Sequence, residues 1–80
     1  MTEIHVEPEI PLGLLVRRKR IAAGITVVAL AKEFGRSRVW LTFRESGREM
    51  LREEDARGLF AAINAVVTRR GQLVKMEGKI

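Results

Sequence analysis

Residues 26–41 carry the strongest structural signal in this chain, and their sequence is TVVALAKEFGRSRVWL. Apolar residues recur there at helical spacing after Thr26, whose side chain favours the N-cap position of a helix. Gly35 interrupts the pattern, because glycine enters the left-handed backbone region without steric cost. Ser37 can cap a second, arginine-rich helix. The stretch therefore predicts two short helices that meet at a sharp angle at Gly35.

Helical spacing of apolar residues on either side predicts two further helices. The four predicted helices run from Pro11 to Ala23, from the Thr26 cap to Gly35, from the Ser37 cap to about Glu45, and from near Arg52 to Arg70. Glycine follows three of them as a stop signal, at Gly24, Gly47 and Gly71. The fourth helix has an apolar stripe formed by Ala56, Leu59, Phe60, Ile63, Val66 and Val67. The predicted fold class is all-α, a small four-helix bundle.

The two ends of the chain are less regular than its centre. Residues 1–9 form an N-terminal tail. Apolar and polar side chains alternate over its residues 4–6, which suits a short strand that Pro8 would end. Residues 72–80 are predicted to form a C-terminal tail. Its residues 72–77 suit a frayed end, a short strand that pairs with residues 4–6, or a dimerisation strand that pairs with its twin in a second subunit. The predicted organisation is therefore one domain over residues 10–71, flanked at each end by either a tail or a short β-strand.

Composition limits the classes of function. A chain of 80 residues with 46% hydrophobic and 31% charged residues suits one globular domain. Its longest weakly polar run, residues 22–31, is about half the roughly 20 residues that a membrane-spanning helix needs. Residues 10–80 carry fifteen basic and seven acidic residues, and so basic a domain attracts polyanions such as nucleic acid.

Catalytic and metal-binding chemistry is not indicated. The sequence has no cysteine and one histidine, His5, so neither a zinc site nor a catalytic relay can be assembled around it. It has no glycine-rich phosphate loop and no nucleophile beside a base. We expect no enzyme activity, no cofactor and no small-molecule ligand. Because no export signal is visible, we expect a cytoplasmic protein without membrane contact.

Three groups of residues resemble the helix-turn-helix of the Cro and phage-repressor-like (XRE) superfamily. They are RIAAGIT at residues 20–26, LAKEFG at residues 30–35, and Ser37-Arg38 followed by Glu45-Ser46-Gly47. The resemblance implies that the second helix positions the third, with the small Ala31 where the two cross. It also implies that the third helix reads DNA. Arg36 and Arg44 depart from the family pattern, in which both positions are usually aliphatic; Phe43 is the alternative anchor for the third helix.

The resemblance implies roles for individual side chains. The candidate base-reading residues are Ser37, Arg38, Val39 and Thr42. The candidate phosphate contacts are Thr26, Val27, Arg36, Arg44 and Arg48. Arg38 is the first candidate, because its guanidinium can donate two hydrogen bonds to guanine. Trp40 is interpreted as a core or interface residue, with stacking on nucleic acid as the alternative. Residues 17–20 are interpreted as a solvated basic face, with a phosphate clamp as the alternative.

The expected function is that of a dimeric repressor of phage, plasmid or bacterial origin, which binds an inverted-repeat operator in double-stranded DNA. The candidate homodimer surface comprises Ile63, Val66, Val67, Leu73 and Met76. Two alternatives remain open at this point. One is a protein-interaction module, such as an antitoxin-like or accessory factor on the same fold. The other is a protein that binds RNA or DNA without sequence preference.

Overall fold

The computed structural model describes the backbone of residues 10–77 and the side chains of residues 10–71. Four helices account for most of this part of the chain: α1 (Leu12–Ala22), α2 (Val27–Phe34), α3 (Arg38–Glu45) and α4 (Glu53–Glu77). No strand occurs within residues 10–77, so the all-α prediction is confirmed for them. The candidate strand at residues 4–6 lies outside the described residues.

The helix signals around the α2–α3 turn lie where the sequence predicts them. The Thr26 hydroxyl accepts a hydrogen bond from the Ala29 N–H at 3.1 Å, which caps α2. The Ser37 hydroxyl caps α3 in the same way. Gly35 has a φ of 84°, and its N–H bonds back to the last turn of α2. Because an L-residue rarely adopts that φ, glycine allows α2 to end and α3 to begin after only three residues.

The end of α4 differs from the sequence prediction. Gly71 does not terminate α4, which continues to Glu77, so residues 72–77 form neither a strand nor a separate tail. Gly24, Gly35 and Gly47 have positive φ and end helical segments, whereas Gly71 does not. A glycine with ordinary helical backbone angles only weakens a helix, by about 1 kcal/mol relative to alanine. The identity of the residue was therefore an insufficient signal for a stop.

One apolar core unites the four helices. It consists of Val16, Ile25, Leu30, Ala31, Leu41, Leu51, Ala56, Leu59 and Ile63. Phe60 and Val66 pack against it from the predicted stripe of α4, but Val67 is exposed. Helix α1 packs on α3 and α4, and α2 packs on the same two helices. Helices α3 and α4 therefore each contact both α1 and α2. The burial of α3 depends on both of these partner helices.

The α1–α3 contact is close enough to involve the backbone. A Cβ built on Gly13 of α1 would lie 1.8 Å from the carbonyl oxygen of Arg44. Only a residue without a side chain fits between the two helices there. Gly13, Val16 and Arg20 are spaced by three and four residues, so all three lie on the face of α1 that meets α3.

Within residues 10–77, the helices are too short or too polar to cross a lipid bilayer.

Candidate nucleic-acid interface

The inner face of α3 fixes how this helix is rotated. Leu41 is fully buried, and Glu45, one turn later, is buried too. Phe43 was predicted as the alternative to the position of Arg44, where the family pattern expects an aliphatic anchor, and both residues are only half-buried. Leu41 is the apolar anchor of α3, which corrects the predicted phase.

The four candidate base-reading residues lie at the N-cap and along one side of α3. Ser37, Arg38, Val39 and Thr42 are all exposed. The ion pairs within residues 10–71 engage Arg20, Arg57 and Arg69, and Arg38 takes part in none of them. With Leu41 facing the core, the four candidate base-reading residues therefore lie on one accessible surface. We call Arg38, Val39 and Thr42 the outer face of α3.

Glu45 is held by an ion pair that the sequence analysis did not anticipate. Nε and Nη2 of Arg20 each donate to one carboxylate oxygen of Glu45 at 2.8 Å. Nη1 of the same guanidinium donates to the carbonyl of Ile25, also at 2.8 Å. The side chains of Arg20 and Glu45 are 12% and 4% exposed. This pair joins the end of α1 to the end of α3 and corrects the solvated interpretation for Arg20; Arg17 and Arg18 are exposed as expected.

The sequence contains both residues of this pair, but they lie far apart in it. Glu45 occupies a core-facing position four residues after Leu41, where an acid needs a partner because burying an isolated charge is costly. Arg20 is 25 residues away in the sequence. Four consecutive basic residues at positions 17–20 offered equivalent candidates, and the spacing alone did not single out the fourth.

Trp40 is a packing residue with two arginines beside it. Its ring stacks on Phe34 with centroids 5.6 Å apart. The guanidinium of Arg44 lies 4.4 Å from the Trp40 centroid, and that of Arg36 lies 5.1 Å from it. Nη1 of Arg44 also donates to the Trp40 carbonyl at 3.2 Å. Trp40 packs against the core as its first interpretation predicts, and Arg44 is partly occupied within the fold.

The candidate phosphate contacts differ in their freedom. Arg36 and Arg48 are exposed, and Arg48 lies over the ring of Phe43 at 5.3 Å from its centroid. The Thr26 hydroxyl is used as a cap acceptor and keeps its proton to donate. Val27 packs its side chain against the core, so only its first-turn N–H is suited to a phosphate. Among the candidate phosphate contacts, Arg36 and Arg48 are therefore the exposed arginines, whereas Arg44 is half-buried.

Basic residues outnumber acidic ones in and around α2 and α3. Residues 26–48 contain five basic residues and two acids, Glu33 and Glu45. Both acids are engaged by arginines of other helices, since Glu33 pairs with Arg69 of α4. The remaining charge around the outer face of α3 is therefore basic. Within the described residues, no three acidic or histidine side chains are grouped to hold a metal ion.

The predicted homodimer residues are placed unequally. Ile63 is buried in the core, and Val66 is partly buried against it. Val67 is 46% exposed. Leu73 and Met76 lie on the continuation of α4, and their side chains are outside the described set. At the other end of the domain, Met50 is 87% exposed beside a groove between α1 and the α3–α4 loop.

Comparison of the chain with protein-family models, with curated proteins and with solved structures found no match.

Proposed function

We propose that the protein is a sequence-specific DNA-binding regulator that places α3 in the major groove, in the manner of a helix-turn-helix. The observation that carries the proposal is the outer face of α3. There an arginine outside the ion pairs of residues 10–71, a valine and a threonine lie together on a short helix whose opposite side is anchored by Leu41. A helix with such an exposed face suits the major groove, where each base pair presents a distinct pattern.

The charge distribution supports the same function. Arg36 and Arg48 flank the outer face of α3 and are exposed. Phosphate contacts from such residues would orient the protein without reading sequence, and Arg38 would supply the base contact. Occupation of a promoter by the protein would then block transcription, as in a repressor.

Substituting Arg38 is expected to separate base reading from phosphate binding. Arg38→Ala should weaken binding to a duplex selected from random oligonucleotides by about 1–3 kcal/mol, and should barely affect a scrambled duplex. Arg48→Ala should weaken binding to both duplexes alike and reduce the salt dependence by about one phosphate contact. Fluorescence anisotropy over a salt series measures both quantities. Arg57→Ala, on the exposed side of α4, is the matched control.

Two results would count against this proposal. An equal loss for Arg38→Ala on selected and scrambled duplexes would mean that Arg38 does not read bases. If no duplex were retained at moderate salt during the selection, a protein-interaction module on the same fold would be the better explanation. The selection also returns the spacing of any inverted repeat.

We further propose that the regulator acts as a homodimer, because one small module buries a modest interface and specific binding usually needs two. Val67→Glu is expected to shift the molecular mass in solution from dimer to monomer if the exposed side of α4 is the contact. Met50→Glu is the matched comparison, since Met50 is exposed at the opposite end of the domain. Light scattering with size-exclusion chromatography distinguishes the two. A dimer that survived Val67→Glu but not Met50→Glu would move the contact to the α1 groove.

A further inference from the structure

Val39 is an apolar side chain with no visible role in holding the fold together. It is the second residue of α3, it is 59% exposed, and it belongs neither to the core nor to the residues packed against it. Valine is also a weak helix former, because its branched side chain loses freedom against the preceding turn. Local helix stability therefore does not account for a valine at this position.

The surroundings of Val39 limit what it can contact. Thr42 and Phe43 follow it by three and four residues, so their side chains lie beside it on the helix surface. The Thr42 side chain adds a methyl group, and half-buried Phe43 adds the edge of a small apolar strip. Arg38, the candidate guanine reader, is its direct neighbour. The strip is thus apolar but lies next to a side chain suited to base recognition.

We propose that Val39 is a specificity-determining residue that reads the C5-methyl group of a pyrimidine in the major groove. This inference rests on the proposed DNA-binding function. Valine has no hydrogen-bonding group in its side chain, so it cannot distinguish the donors and acceptors of a base edge. The C5-methyl group of thymine is the apolar feature of the major groove, and apolar side chains recognise it by contact. The 5-methyl group of 5-methylcytosine presents the same chemistry.

The adjacent positions of Arg38 and Val39 on α3 predict that this methyl group lies close to the guanine that Arg38 would read. Adjacent Cα atoms are about 3.8 Å apart, and successive base pairs are separated by about 3.4 Å. Arg38 and Val39 therefore reach the same base pair or neighbouring ones. The selected site should contain a thymine within one base pair of that guanine, on either strand.

The test uses the full chain and its selected duplex, in which each thymine is replaced in turn by deoxyuridine. This exchange removes the C5-methyl group and leaves base pairing unchanged. One replacement near the guanine is expected to weaken binding about fourfold, the ratio that corresponds to about 0.8 kcal/mol for one buried methyl-sized group. The thymine–adenine pair at that position can also be replaced by a cytosine–guanine pair. A duplex with 5-methylcytosine in this pair should bind more tightly than the same duplex with unmodified cytosine.

Variants assign the effect to Val39. Val39→Ala should reduce the difference in affinity between the thymine and deoxyuridine duplexes, because it removes both methyl groups of the valine side chain. Ile21→Ala is the matched control, because Ile21 is similarly exposed, at 53%, but lies on α1. This variant should retain the fourfold difference in affinity between the thymine and deoxyuridine duplexes. Both sites are exposed, so circular dichroism should show unchanged folding.

Failures of the two proposals are distinguishable. Sequence-specific binding in which no thymine shows a methyl effect would overturn the role of Val39 and leave the regulator proposal standing. A methyl effect of unchanged size in Val39→Ala would assign the contact to another residue. Absence of any specific duplex would remove the DNA-binding function and this inference together.

Discussion

Replacing Arg20 by alanine is expected to lower the free energy of unfolding by about 3–5 kcal/mol. The substitution leaves the carboxylate of Glu45 buried without its two hydrogen-bond donors, and it also removes the donor to the Ile25 carbonyl. A domain of this size is stable by only about 4–12 kcal/mol, so the loss is a large part of the total. Urea unfolding followed by circular dichroism, with Trp40 fluorescence as a second probe, measures it.

The matched control for Arg20→Ala is Arg57→Ala. Arg57 pairs with Glu53 at the same 2.8 Å, but both side chains are more than 70% exposed. An exposed pair of this kind contributes about 0.3–0.5 kcal/mol. Comparable losses in the two variants would show that burial of the Arg20–Glu45 pair has little energetic effect.

A double substitution separates the unpaired charge from the packing. Arg20→Met combined with Glu45→Leu removes both charges and keeps similar volumes, and such replacements of buried pairs are often neutral or stabilising. We expect the double variant to recover most of the stability that Arg20→Ala loses. If it remained as unstable as Arg20→Ala, the loss would come from packing and not from the buried carboxylate.

Replacing Gly13 by alanine is expected to destabilise the fold by at least about 3 kcal/mol, at the upper end of the range for overpacked sites. The new Cβ would meet the carbonyl oxygen of Arg44 at 1.8 Å, and the contacted atoms are backbone. A flexible side chain could rotate away, whereas here α1 and α3 must separate. The shift would disturb α3 and therefore the outer face proposed to read DNA. Thermal unfolding and binding to the selected duplex measure the two consequences.

Gly71→Ala is the control for Gly13→Ala, because both positions are helical and only one is crowded. A Cβ at Gly71 meets nothing within 4 Å, and Gly71 has no positive φ. Alanine should therefore stabilise α4 by about 0.5–1 kcal/mol through its higher helix propensity. Destabilisation by Gly71→Ala would argue against a helix that continues through this residue.

Both large effects arise at the contact between α1 and α3. Gly13 allows the two helices to approach at the backbone, and Arg20, two turns later, holds the carboxylate of Glu45. Neither residue belongs to the outer face of α3. Together they set the position and rotation from which Arg38, Val39 and Thr42 project.

Local signals in the sequence predicted the four helices, the caps at Thr26 and Ser37, and the turn at Gly35. Each depends on a few neighbouring residues: a hydroxyl that satisfies a nearby N–H, a glycine that tolerates positive φ, or an apolar side chain repeated at helical spacing. The same signals placed most of the apolar stripe of α4 correctly. They were insufficient at Gly71, because a glycine permits a helix stop without requiring one.

The rotation of α3, the close approach at Gly13 and the Arg20–Glu45 pair depend on contacts between residues far apart in the sequence. The family pattern expects an apolar anchor at the position of Arg44, and Phe43 was the alternative. Leu41 is the buried residue because both α1 and α2 pack against α3. Periodicity identifies which residues could face inward, but the partner helices select among them. The charge on Glu45 is tolerated inside because a residue 25 positions away supplies the donors. The sequence thus contained the candidate surface, and the packing of α1 against α3 determined which of its residues face outward.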